Sequence, residues 1–182
     1  NSLERLADLS TAAATVTMCF VLSYLATGLE QEYGVPEIRA PLPYGLDATD
    51  EWLRDIARVT KREHLVEAVI AAPLAPELER LRKALKGKKG FVSAGAAFAH
   101  GLIAYLRELG VEVDDAFSYH HDPSTDSGDP RQDSLGHLVQ ATGDIPHFTV
   151  SPDQHFQAHA ALTRAKPDFV VCRHSGTMAV LA

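Results

Sequence analysis

From Lys88 onward, short apolar runs alternate with longer stretches whose apolar residues recur every three or four positions. Gly90-Phe91-Val92-Ser93-Ala94 reads as a strand, and Ala96 to Leu109 as a helix stopped by Gly110. Val111 to Tyr119 is a second strand, followed by a polar, turn-rich loop through residues 122–133. Asp133 or Ser134 caps a short helix to about Thr142, and His147-Phe148-Thr149-Val150 makes a third strand. Asp153 caps a helix to Ala165, Asp168 to Cys172 is the fourth strand, and Ser175 caps a closing helix. Strands spaced by helices of this length predict a parallel sheet with right-handed crossovers. The expected fold class is therefore α/β, a Rossmann-like parallel sheet layered between helices, with residues 88–182 as its clearest unit.

The first half patterns differently. Residues 11–19 are small and β-branched and suit a short buried strand. Phe20 to Tyr33 carries Leu22, Leu25, Ala26 and Leu29 at helical spacing, and Gly34 with Pro36 beyond it marks the stop. Residues 36–46, rich in proline, read as an extended loop. Asp47 or Thr49 is expected to cap a helix from Asp50 to about Arg58, with Trp52, Leu53, Ile56 and Ala57 inward. Helix continues over residues 63–71, and Pro76 opens another from Glu77 to Lys86, closed by Gly87. The expected organisation is the end of a preceding Rossmann-like domain over 1–46, a helical connection over 47–87, and the incomplete α/β domain over 88–182. The chain opens within one helical pattern and stops within another, so it reads as a piece of a longer polypeptide.

Composition narrows the function classes. Apolar residues make up 46% and charged residues 23% of the chain, as in a soluble globular protein. The net charge of −7 supplies no basic footprint for nucleic acid or an anionic membrane. The longest apolar stretch, around Cys19 to Ala26, is far too short to span a bilayer. Two cysteines do not make a disulfide framework, so a reduced, cytoplasmic setting is expected.

The candidate chemistry lies at strand ends, where open α/β sheets bind ligands. Phe117-Ser118-Tyr119-His120-His121-Asp122 ends the second strand, and Val170-Val171-Cys172-Arg173-His174-Ser175-Gly176 ends the fourth. Two such clusters on successive strand tips face one crevice. His120, His121 and His174 are candidate proton donors, since imidazole titrates near neutrality; the bland reading of His120-His121-Asp122 is a loop anchor with an Asx-turn at Asp122. Arg173, Ser175 and Gly176 stand where a strand meets a helix amino terminus, which favours anions; the alternative is a salt bridge from Arg173 to Asp122 or Asp126. The turn Ser93-Ala94-Gly95-Ala96-Ala97 lacks the glycine spacing of a dinucleotide fingerprint. Asp126 to Asp133 lacks calcium-loop spacing, and His155 with His159 lacks the glutamate of a zinc helix, so both histidines read as surface residues. Cys19 and Cys172 are each a small buried hydrophobe on the bland reading, and Cys19, at a strand tip, is also a candidate metal ligand.

Five segments carry a family resemblance. They are Tyr24 to Pro36, Pro41 to Leu53, Gly87-Lys88-Lys89, Leu106 to Glu112, and Lys166-Pro167-Asp168. In this order and spacing the chain resembles the nitrogenase component 1 type oxidoreductases. That group holds the nitrogenase α and β subunits, their cofactor-assembly scaffolds, and the protochlorophyllide and chlorophyllide reductases.

The resemblance implies a subunit of three Rossmann-like domains, of which this chain is the end of the middle one and most of the last. It implies a paired homologous subunit, an ATP-driven iron–sulfur reductase partner, and an iron–sulfur cluster held mostly by cysteines of the first domain. The cysteine that ligates the catalytic cofactor in nitrogenase α subunits corresponds to Met18 here, with Cys19 one place later. The two histidine clusters look more like the chlorophyllide reductase branch, whose substrate is a flat tetrapyrrole. The expected function is thus part of a nitrogenase-like reductase subunit. The alternatives are a non-catalytic cofactor-assembly scaffold, or a sugar-nucleotide-binding epimerase or transferase-like domain.

Overall fold

The computed structural model describes residues 7–17, 23–38, 42–70, 75–119, 145–150 and 155–173. The chain divides into two compact units, Asn1–Ala72 and Pro73–Ala182.

The first unit begins with a turn of 3-10 helix, Asp8–Thr11. Two short strands, β1 (Thr15–Val16) and β2 (Glu37–Ile38), pair in parallel around helix α1 (Ser23–Tyr33). The strand expected over residues 11–19 is thus only two residues long among the described ones, and Val16 is exposed. Ala26 and Leu29 bury the inner stripe of α1, and Gly34 ends it at φ +70°, as the stop pattern predicts. Helix α2 runs over Gly45–Thr60, starting earlier than either expected cap. Tyr44 holds the cap position in extended backbone with no side-chain cap bond, and Thr49 donates its hydroxyl to the Gly45 carbonyl from within the helix. The helix closes with Arg62 N–H on the Ala57 carbonyl at 2.8 Å and Lys61 left-handed at φ 57°. A 3-10 turn (Glu63–Leu65) leads into the short helix α3 (Val66–Ile70).

The second unit opens with helix α4 (Ala75–Leu85) and contains β3 (Lys89–Gly95), α5 (Ala96–Glu108), β4 (Glu112–Tyr119), β5 (His147–Val150), α6 (His155–Ala165) and β6 (Phe169–Cys172). All four strands are parallel, in the order β5-β4-β3-β6. The expected helix over 134–142 and the closing helix after Ser175 lie outside the described residues. Each central strand is buried on both faces, as a sheet covered on two sides requires. Val92, Ala94 and Ala116 pack with Ala99, Ile103 and Leu106 of α5 and Leu78 of α4. Phe91 and Phe117 pack instead with Ala158, Ala161 and Leu162 of α6. Full burial of each of these phenylalanines contributes about 1.5–3 kcal/mol.

The connection from α5 into β4 shows how tightly the layers fit. Gly110 adopts φ +80°, which lets Val111 N–H reach the Leu106 carbonyl at 3.0 Å and turns the chain straight into β4. Asp168, just before β6, accepts Lys89 N–H at 2.8 Å and lies 3.3 Å from Lys88 Nζ. That contact ties the beginning of β6 to the beginning of β3.

Candidate functional site at the carboxyl edge of the sheet

The sheet order places a reversal beside β3. The chain steps outward from β3 to β4 to β5, then returns so that β6 lies on the other side of β3. The outward crossover from β3 to β4 and the returning one from β5 to β6 therefore cover opposite faces, α5 on one and α6 on the other. The carboxyl ends of β3 and β6 stand side by side at this reversal, which is where open α/β sheets seat their ligands.

Three groups meet there. Gly95 ends β3 and is itself the cap residue of α5, with no side-chain cap hydrogen bond on the first amides of the helix. Arg173 follows β6, and its N–H donates to the Ser93 carbonyl at 3.2 Å, carrying the β3–β6 pairing past Cys172. Its guanidinium lies over the Phe98 ring in the first turn of α5, 3.6 Å from the ring centre. Such a contact at an exposed position is worth about 0.5–1 kcal/mol. The result is a cation held beside the first turn of α5, at the positive end of the helix dipole.

Cys172 is a free, exposed thiol, which corrects the expectation of a small buried hydrophobe: the last residue of a four-residue strand projects beyond the helical cover. Arg173 is found against Phe98; Asp122 and Asp126, its alternative partners in the sequence, lie outside the described residues. So do His120, His121, His174, Ser175, Gly176 and Cys19. The topology nevertheless corrects one premise: β4 and β6 are not neighbours, because β3 runs between them. They end at the same edge of one parallel sheet, flanking β3. His159 is exposed on α6, as read from its spacing.

Sequence reasoning missed Phe98 and the buried His100 two residues further along α5. Within the helix read from Ala96 to Leu109 nothing in the sequence marks Phe98, and only the placement of β6 beside β3 gives it a cation to meet. Among the described residues no three of His, Cys, Asp or Glu are grouped to hold a metal ion. The described side chains thus do not build an iron–sulfur site by themselves.

A sequence model of the family described as nitrogenase component 1 type oxidoreductase matches residues 1–180. The chain belongs to that family. It is 30% identical over 119 residues to a nitrogenase molybdenum-iron protein alpha chain of Methanosarcina barkeri, covering 62% of this chain and 22% of that one. It is 33% identical over 99 residues to a nitrogenase iron-molybdenum cofactor biosynthesis protein NifE of Clostridium pasteurianum, covering 50% and 22%. In fold it is similar to nitrogenase Cp1 solved at pH 5, with a TM-score of 0.63 at 23% identity, covering 88% of this chain and 38% of that one. The nitrogenase-like chain thus spans about a fifth of the length of these curated relatives. The α/β parallel-sheet class expected from the alternation of strands and helices holds. Membership of this family sets aside the sugar-nucleotide epimerase or transferase reading. Among the described residues no helix is long and apolar enough to cross a membrane.

Proposed function

We propose that this chain is part of a nitrogenase-like reductase subunit that takes electrons from an ATP-driven iron–sulfur partner and reduces a bound substrate. The family match over residues 1–180 carries this reading. In the complete protein a paired homologous subunit and an iron–sulfur cluster complete the machinery, in a cytoplasmic setting. Most cluster ligands come from other parts of the protein, and Cys19 is the candidate ligand in this stretch. In this reading His120, His121 and His174 donate protons, while Arg173, Ser175, Gly176 and Asp122 contact the substrate. The ends of β4 and β6 at one edge, and Arg173 beside the amino end of α5, support that assignment. A tetrapyrrole substrate such as chlorophyllide rests on the histidine clusters alone; the relatives named above bear nitrogenase and cofactor-biosynthesis names.

The test is anaerobic purification of the full-length protein with its paired subunit. Broad iron–sulfur absorption is expected, with substrate reduction that depends on ATP and the iron–sulfur partner, while the 182 residues alone turn over nothing. A colourless complex overturns the proposal. The similarity to NifE favours a second reading, a cofactor-assembly scaffold. A complex that holds a cluster and passes it to an apo-nitrogenase, without reducing substrate, decides for that reading.

A further inference from the structure

We draw no further inference here: the strongest candidate, the apolar groove of about 190 Å³ lined by Leu53, Ile56, Leu65, Val66 and Val69 between α2 and α3, carries nothing because no feature of the described residues shows what covers it.

Discussion

Asp115 is 3% exposed on β4, on the face it shares with Phe117, and accepts two hydrogen bonds from Arg164 of α6. Nε reaches Oδ2 at 2.8 Å and Nη2 reaches Oδ1 at 3.0 Å, a two-pronged arrangement that only a guanidinium supplies. Arg164→Ala leaves a buried carboxylate unpaired, and since the arginine is itself partly solvated the cost is set at about 2 kcal/mol. Urea unfolding checks this, and Arg164→Lys is expected to recover only part of the loss. Gly90 marks a second sensitive position, for steric reasons. A Cβ there meets Val111 Cγ1 at 2.8 Å and Phe169 Cζ at 3.2 Å, inside a packed core. Gly90→Ala is expected to cost about 1–3 kcal/mol. Combined with Val111→Ala, the measured loss falls short of the sum of the two single losses, because the smaller side chain removes the closest clash.

Asp168 acts between elements, since its carboxylate accepts the first amide of β3 from the threshold of β6. The Lys89 N–H, with Lys88 beside it, holds this carboxyl below its ordinary range. A carboxyl lowered on folding adds stability above its unfolded value, about 4, and that addition is lost as the pH falls through the folded value. The difference in stability between the wild type and Asp168→Ala is therefore expected to be constant near neutrality and to shrink in acid. A difference that grows in acid contradicts the assignment. This contact, like the Asp115–Arg164 pair, was hidden in the sequence, where an aspartate before a strand or within Glu112-Val113-Asp114-Asp115 looks solvated. The elements of the second unit were legible because apolar runs with glycine stops at Gly87 and Gly110 fix strand and helix ends locally. In the first unit a strand was legible where β1 lies, but β2 and its pairing were not, because two-residue strands carry no periodicity. The start of α2 was misplaced because Asp47 and Thr49 resemble caps yet lie inside the first turns. Strand order escaped the sequence too, since no local pattern says on which side of β3 a later strand docks.

At the scale of the molecule, stability is concentrated in β3. This strand pairs on both sides, with β4 and β6, and Phe91, Val92, Ser93 and Ala94 are all 0% exposed. Native-state hydrogen exchange is expected to find these amides among the last to open, and those of Thr15 and Val16 among the first. Slow exchange centred on β1–β2 counts against that distribution. The return of β6 to the far side of β3 has a further effect. The aromatic ring and the cation that meet at the carboxyl edge are encoded far apart, and they come together only when the last of the four strands docks. A nascent or partly opened chain thus carries Phe98 without the Arg173 guanidinium over it. The contact between ring and guanidinium waits on completion of the sheet.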